Sequence, residues 1–225
     1  MRYLNLNKVI TGTQAKKADT YAIETMGIPS LNLMETASSK VADYIIRNFP
    51  TSPVTIVCGT GNNGADGICI ARILTEDRRF NGSIQAVITG DLEHASWELL
   101  HQLSEYKRIG GNITYYRNGD ALPSSDVLVD AVFGIGLLSE LREDKKDLLI
   151  KADSMHYPHV IAVDIPSGIN SDTGELMGAG IHAEITVTFG RSKTGLITGA
   201  GQEYAGTVII EDIGIPDEAY DHVLS

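Results

Sequence analysis

Two aspartates stand where apolar stretches of the sequence end, and buried carboxylates in such positions can transfer protons or bind cations. Asp130 interrupts the run VLVDAVF at 127–133, and Asp164 lies in the run VIAVDI at 160–165. Burying a carboxylate is costly unless a hydrogen-bond donor, a metal or a ligand compensates it. The alternative for each aspartate is a structural role in which hydrogen bonds within the protein compensate the buried carboxylate. At equivalent points of neighbouring strands, however, two such aspartates would converge on one crevice.

A glycine-rich segment, GTGNNGADG at 59–67, follows the apolar run VTIVC. Its glycines at 59, 61 and 64 match G-x-G-x-x-G, which binds dinucleotide phosphates when it joins a strand to a helix. An ordinary dehydrogenase would close its next strand with an acidic residue roughly 20 positions on, and Asp91 lies further away. The segment also has the extra polar side chains Asn62, Asn63 and Asp66. The alternative is a purely structural tight turn in which Asn and Gly supply the positive φ.

Basic and sulfur-bearing side chains are weaker candidates for chemistry. Arg191 and Lys193 lie in a glycine-bounded loop, where they would either meet a ligand phosphate or be solvated. Cys58 and Cys69 each lie within an apolar run. They are expected to be reduced core thiols, which is typical of a cytoplasmic protein.

An alternation of strands and helices must position these segments. Apolar spacing predicts a helix over 13–26, a second helix from Ser30 onwards, and helices near 66–76, 93–109 and 143–154. Strands are predicted at 54–58, 84–88, 127–133, 160–165, 185–189 and 207–210. Runs that are apolar on both faces and joined by helical crossovers indicate an α/β protein with a mainly parallel sheet. Ligands of such folds bind at the carboxyl ends of the strands.

Composition bounds the class of protein. The chain has 225 residues, of which 43% are hydrophobic and 21% charged, as in a single globular domain spanning 1–225. Its 18 basic and 29 acidic residues give a net charge of -11, which argues against binding nucleic acid or anionic lipid. No apolar run approaches the ~20 residues of a membrane span, and the first residues, MRYLNLNKVITG, lack a signal-peptide pattern. We expect a cytoplasmic location.

Taken together, the motifs resemble those of the NAD(P)H-hydrate epimerase family, whose fold unit is the YjeF N-terminal domain. The matching segments cover nearly the whole chain and read GIPS at 27–30 with LME at 33–35, GTGNNGADG at 59–67, DAVFGIGL at 130–137, VDIPSGINSDTG at 163–174, TVTFGRSKTG at 186–195 and AGTVIIEDIGIP at 205–216. The resemblance implies a three-layer αβα Rossmann-like sandwich that forms a homodimer. It also implies epimerisation, at nicotinamide C6, of the R and S forms of hydrated NADH and NADPH. A separate ATP- or ADP-dependent dehydratase would then repair the cofactor.

The resemblance also assigns site residues, position by position. A first hydrate-binding loop would consist of Asn62, Asn63, Gly64, Ala65 and Asp66. A second would consist of Gly134, Ile135, Gly136, Leu137, Leu138, Ser139 and Glu140. Asp164 would contact the substrate, and one potassium ion per subunit would be bound by Asn63, Asp130 and Ser167. An all-oxygen site of few charges suits a large monovalent cation better than zinc.

The expected chemistry needs an acid and a base. Loss of hydroxide from C6 gives an iminium-like centre that water can attack from either face, although ring-opening at the same carbon would give the same outcome. A carboxylate shielded from water could protonate the departing oxygen and then activate water. We expect Asp164 to fill both roles, with Asp66 or Asn63 orienting ligand or water.

Three departures from the family pattern keep other functions open. Ala65 stands where the family usually has a second glycine, Thr36 stands where it has Asn, and 138–142 reads LSELR where an Arg-Pro-Leu-like segment is common. A catalytically silent binding or scaffold module on the same fold is therefore the alternative from another class. An NAD-dependent oxidoreductase is the alternative among enzymes.

Overall fold

A computed structural model describes residues 9–224 of the chain. The strands are β1 Val9–Ile10, β2 Val54–Cys58, β3 Ile84–Thr89, β4 Ile113–Tyr116, β5 Val127–Ala131, β6 His159–Val163, β7 Ile185–Phe189, β8 Ser192–Lys193 and β9 Thr207–Glu211. The helices are α1 Gly12–Glu24, α2 Ser30–Asn48, α3 Asn62–Glu76, α4 Trp97–Arg108, α5 Glu143–Ser154, α6 Gly201–Tyr204 and α7 Asp217–Leu224. Residues 1–8 and 225 of the predicted 1–225 domain lie outside the described residues.

Seven strands form one parallel sheet in the order β4-β3-β2-β5-β6-β7-β9, and β1 pairs with β8 beside it. The chain winds outwards from β2 to β4 and then returns to place β5 on the other side of β2. The order of strands therefore reverses between β2 and β5, which is where doubly wound folds bind ligands.

Helices cover both faces of the sheet, as the apolar runs predict. Along β2, Ile56 and Cys58 face a core formed with α2, α3 and α4, whereas Val57 faces a second core formed with α5. A third core joins α1 and α7 to the start of α2. The predicted three-layer αβα sandwich with a mainly parallel sheet is confirmed. Within the described residues, no helix has the length and hydropathy needed to cross a bilayer.

Several elements begin or end elsewhere than the sequence predicts. α3 begins at Asn62 instead of near residue 66, so the connection from β2 is only 59–61. β6 ends at Val163 because Asp164 has a φ of 68°, which turns the chain out of the sheet. β4 (ITYY) is absent from the prediction because this edge strand has two exposed central residues and therefore no apolar run. The short β1, β8, α6 and the C-terminal α7 are also absent from it.

Candidate active site

A crevice of about 630 Å³ opens at the carboxyl ends of β2, β5 and β6. One side of it is formed by α1 and the start of α2, and another by the first turns of α3. Segments that follow β5, β7 and β9 complete the wall. The crevice thus lies at the reversal of strand order, and the predicted glycine-rich loop and second loop both reach it.

Asp164 lines this crevice. One of its carboxylate oxygens accepts two hydrogen bonds, and the other accepts none among the described residues. Its Oδ1 accepts hydrogen bonds from Lys193 Nζ at 2.6 Å and from Thr188 Oγ1 at 2.9 Å. The backbone φ of 68° is uncommon for a residue other than glycine, and Asp and Asn tolerate it best. Such left-handed residues cluster at functional sites, where the surrounding structure holds them in place.

Lys193 is the partner of this carboxylate and not a free phosphate-binding group. Its side chain is 3% exposed, and its ammonium donates to Asp164, to Thr188 Oγ1 at 3.0 Å and to the Phe189 carbonyl at 2.9 Å. All three N–H bonds of the ammonium are therefore used. The expectation that Arg191 and Lys193 meet a ligand phosphate or solvent is wrong for Lys193. Arg191 instead pairs with Asp217 and packs over the ring of Tyr220.

Two further carboxyl groups in the crevice have raised pKa values. Burial raises the pKa of Asp66 well above its usual range, and the negative charges of Asp164 and Asp19 add to the rise. Burial likewise raises the pKa of Asp19, on α1, to about 6, while Lys193 lowers it and Asp164 raises it. Negative charges that lie close together in a site shielded from water disfavour the ionisation of all the carboxyl groups at once. The crevice therefore holds an ion-paired carboxylate beside two carboxyl groups whose pKa values are raised.

The predicted first loop lies mostly in the first turns of α3. Asn62, Asn63 and Asp66 line the crevice, whereas Gly64 and Ala65 are buried behind it. A Cβ on Gly64 would lie 1.9 Å from the Gly59 carbonyl oxygen, so close packing requires glycine there. None of these residues has a positive φ, so the alternative of a turn built on that conformation is wrong.

The first N–H groups of α3 have no partner within the helix. The N-cap residue, Gly61, gives no side-chain hydrogen bond, and the first intrahelical donor is Ala65. There is also no acidic residue in the first turn. Such a helix start attracts anionic groups of a ligand.

The predicted second loop divides into two parts. Gly134, Ile135, Gly136 and Leu137 line the crevice, whereas Leu138, Ser139 and Glu140 do not. Leu138 is 64% exposed, and Glu140 forms an exposed ion pair with Lys146 at 3.4 Å. Only the glycine-rich half of the loop is therefore in position to meet a ligand in the crevice.

Asp130 and Ser167, two of the predicted potassium ligands, are in direct contact. The Asp130 carboxylate is fully buried and accepts hydrogen bonds from the Ser167 N–H at 2.7 Å, the Ser167 hydroxyl, and the Val132 N–H at 3.3 Å. The Ser167 hydroxyl oxygen accepts from the Phe133 N–H at 2.9 Å. Burial raises the pKa of Asp130 to about 6, although these hydrogen bonds lower it.

Asn63, the third predicted ligand, lies beside the same chain segment. A Cβ on Gly134 would lie 3.0 Å from Asn63 Oδ1, and the Asn63 Nδ2 is buried without a hydrogen-bond partner. Asp130, Ser167 and Asn63 thus surround the segment from Val132 to Gly134. Their oxygens form a donor set suited to a hard cation of low charge, and the buried Asp130 charge would be offset by such an ion.

Sequence reasoning missed Asp19 and the role of Lys193. Asp19 lies on α1, far along the chain from every motif, and no local pattern marks it. The sequence shows Lys193 as a basic residue, but its partner, Asp164, lies 29 positions away along the chain. Thr188, which links the two groups of that pair, lies within the segment TVTFGRSKTG and gave no signal of its own.

Together, the fold and the crevice define a Rossmann-like α/β protein with a cluster of carboxyl groups at the ligand-binding edge of its sheet. The sequence profile of the family described as "YjeF-related protein N-terminus" matches residues 30–195. The chain is 41% identical to the NAD(P)H-hydrate epimerase of Limosilactobacillus fermentum, over 91% of this chain and 96% of that protein. It is 38% identical to the NAD(P)H-hydrate epimerase of Leuconostoc mesenteroides, over 95% of each.

A solved structure also shares the fold. The crystal structure of the yeast protein ynu0 covers 91% of this chain and 88% of its own, with a TM-score of 0.74 and 20% sequence identity. From the profile match and the similar relatives, the chain belongs to the YjeF N-terminal family of NAD(P)H-hydrate epimerases. The family predicted from the sequence, and the prediction of an epimerase, are confirmed.

Proposed function

We propose that this chain interconverts the R and S epimers of hydrated NADH and NADPH at nicotinamide C6. The observation that carries the proposal is the crevice cluster, in which the ion-paired Asp164 lies beside Asp66 and Asp19. Epimerisation by loss and return of water needs a proton donor and a proton acceptor in one site. Carboxyl groups whose surroundings push their pKa values apart supply that combination.

The contacts favour a division of labour between two aspartates over a single residue that does both. Asp66, with its raised pKa, gives a proton to the departing C6 oxygen, and the C6–O bond breaks as the ring nitrogen supplies electrons. A water molecule then attacks C6 from the opposite face and transfers a proton to the free oxygen of Asp164. In the reverse direction the two residues exchange these roles. Lys193 is a positioning residue, since its ammonium holds Asp164 without a free N–H for the substrate.

The first turn of α3 is the proposed contact for the diphosphate of the substrate. Its uncapped N–H groups line the crevice at Asn62 and Asn63 and attract negative charge. The methyl group of Ala65 is fully buried in the core with α2 and α3, so the departure from the family pattern at this position leaves the crevice unchanged. Thr36, whose hydroxyl donates to the Asn32 carbonyl, also lies outside the crevice lining.

Potassium is the proposed ion at Asn63, Asp130 and Ser167. When bound, it would neutralise the buried Asp130 charge and fix the segment that carries Gly134 into the crevice. Its role is thus to hold the second loop in shape. The chain's own residues perform the proton transfers.

The cellular setting follows from the proposed reaction. A homodimer in the cytoplasm is the proposed form of the protein, supported by the family and by the two buried, unpaired cysteines Cys58 and Cys69. An ATP- or ADP-dependent dehydratase that accepts one epimer would use the product, so the two enzymes together would repair the hydrated cofactor.

The test is to supply purified protein with the R hydrate alone and to follow the S epimer by chromatography. We expect the mixture to reach equilibrium far faster than in buffer. A mixture that changes only at the uncatalysed rate would refute the proposed function.

A further inference from the structure

A second, smaller cavity opens next to the crevice, on the other side of Thr60. It has a volume of about 230 Å³ and lies at the carboxyl ends of β3 and β4, against the first turns of α5. Its lining includes Gly90 and Asp91 after β3, Tyr116 at the end of β4, and Lys145 on α5. A Cβ on Gly90 would lie 3.1 Å from Thr60 Cγ2, and Thr60 itself lines the crevice. Thr60 therefore belongs to the wall of the crevice and lies next to Gly90 in the wall of the smaller cavity.

Polar groups in this cavity lack partners within the part of the chain that the structure describes. The Tyr116 hydroxyl is buried without a hydrogen bond, although buried polar groups are nearly always paired. Lys145 Nζ forms neither a hydrogen bond nor an ion pair, and burial lowers the pKa of this amine. Two donors of the cavity wall, the Tyr116 hydroxyl and the Lys145 ammonium, therefore lack an acceptor among the described residues.

The carboxylates of Asp91 and Asp144 also line the cavity. Asp91 accepts the Glu93 N–H through Oδ1 at 2.9 Å, which fixes its side chain and leaves Oδ2 without a hydrogen bond. Gly90 has a φ of 123°, a conformation essentially restricted to glycine, and a side chain there would reach to 3.4 Å from Lys145 Nζ. Donors facing an acceptor match a ligand whose groups both give and receive hydrogen bonds, as a ribose diol does.

The place of the cavity in the fold points to the same ligand. In doubly wound folds a dinucleotide lies across the reversal of strand order, with its diphosphate at the first helix. An acidic residue after the next strand bonds the adenosine ribose. Here α3 is that first helix and β3 is that next strand. Asp91 is too far along the chain for the sequence rule, but it lies two residues beyond the end of β3.

We propose that the cavity lined by Gly90, Asp91, Tyr116 and Lys145 binds the adenosine ribose of the substrate. The proposal rests on the proposed function, because it places the nicotinamide end at the crevice carboxylates and the diphosphate at α3. Tyr116 and Lys145 donate to the ribose hydroxyl oxygens, and Asp91 accepts from a ribose hydroxyl. The subsite contributes to the binding of the dinucleotide and takes no part in proton transfer.

The test compares two substrates that differ in the adenosine end. Tyr116→Phe and Lys145→Met, separately and together, are assayed with the hydrate of NADH and with the hydrate of reduced nicotinamide mononucleotide. We expect the double variant to raise KM for the dinucleotide hydrate roughly tenfold at unchanged kcat, the effect of losing hydrogen bonds of ordinary strength. KM for the mononucleotide hydrate should not change. Equal effects on both substrates, or none on either, would overturn the proposal.

Matched controls exist on the opposite face of β4. Tyr115 is the neighbouring residue, is 44% exposed, and lies under Lys107 of α4. Tyr115→Phe and Lys107→Met should leave both KM values at the wild-type level. Because Tyr116→Phe removes a hydroxyl without a partner, its melting temperature should be equal to or above that of wild type.

A binding measurement separates this proposal from the proposed function. Calorimetry with ADP-ribose, which has the adenosine end without nicotinamide, should detect binding to wild type and weaker binding to the double variant. No binding to wild type, or equal binding to both, would overturn the subsite whatever the protein catalyses. Failure of wild type to epimerise either hydrate would refute the proposed function instead.

Discussion

Asp130 lies near the end of β5, in register with Ala162, and Asp164 directly follows β6, and the two carboxylates are held by different kinds of donors. Asp130 is sealed from the crevice and accepts three hydrogen bonds from neutral groups of Ser167 and Val132. Asp164 faces the crevice, accepts from the buried ammonium of Lys193, and has one oxygen free. The first arrangement suits a fixed negative charge that a cation neutralises. The second suits a carboxylate that exchanges a proton with a ligand. The same pattern in the sequence thus serves two tasks.

The largest effect is expected at the β6 carboxylate. Asp164→Asn should lower the epimerisation rate by about 10²–10⁴-fold, the usual contribution of a general acid or base. Because Asn tolerates the left-handed backbone well, the circular dichroism spectrum should match that of wild type. Near wild-type turnover of this variant would mean that Asp164 is not the reactive carboxylate that distinguishes the β6 site from the β5 site.

The β5 carboxylate should matter for stability and for the response to potassium. Asp130→Ala leaves the N–H groups of Ser167 and Val132 without an acceptor, which should cost about 1–3 kcal/mol for a buried group left unpaired. Melting temperatures in potassium and in a bulky organic cation, at equal ionic strength, should differ for wild type. They should be equal for Asp130→Ala. If wild type itself melts at the same temperature in both salts, the potassium site is refuted.

The carboxyl group of Asp19 in the crevice gives a pH-dependent effect on the free energy of unfolding. Because the pKa of Asp19 is raised from 3.8 to about 6 in the folded protein, the folded state retains a proton there that the unfolded state loses first. The stabilisation is complete below about pH 4 and is lost as the pH rises through 6. Asp19→Asn stays neutral and avoids that loss. Relative to wild type, its unfolding free energy should therefore be higher at pH 7.5 than at pH 4, by up to about 3 kcal/mol.

Chemical denaturation at the two pH values measures this difference. The exposed Asp147→Asn serves as the matched control for an Asp-to-Asn change that removes no crevice charge. A constant difference between Asp19→Asn and wild type would mean that burial does not raise the pKa of Asp19 in the folded protein.

The smallest effect is expected in the second loop. Replacing Ser139 by Arg and Glu140 by Pro restores the family-like segment before Leu141. The change removes a negative charge, adds a positive one and stiffens the backbone, so KM should fall, with kcat unchanged. Because Glu140 is exposed and already paired with Lys146, screening should limit the change to about twofold. An unchanged KM would mean that the charge and stiffness of residues 138–140 do not affect ligand binding in the crevice.

The layered fold and the identity of most crevice segments could be predicted because they depend on local patterns. Apolar runs in β2, β5 and β6 mark the buried strands, and Asp130 and Asp164 are visible as polar residues inside such runs. The partner of each carboxylate could not be predicted, because Lys193 and Ser167 reach them only through tertiary packing. The sequence pattern predicts a start of α3 that is four residues late, because Asn and Gly have low helix propensity. There, packing of Gly64 against Gly59 overrides propensity.

Incubation of the pure R hydrate in isotopically labelled water tests the central claim most directly. We expect wild type to form the S epimer with solvent oxygen at C6. Asp164→Asn should do so at a rate that is lower by about 10²-fold or more, and Asp130→Ala should retain the chemistry once folded. Formation of labelled S epimer by Asp164→Asn at the wild-type rate would contradict the assignment of the reactive carboxylate. No S epimer from wild type would contradict the function itself.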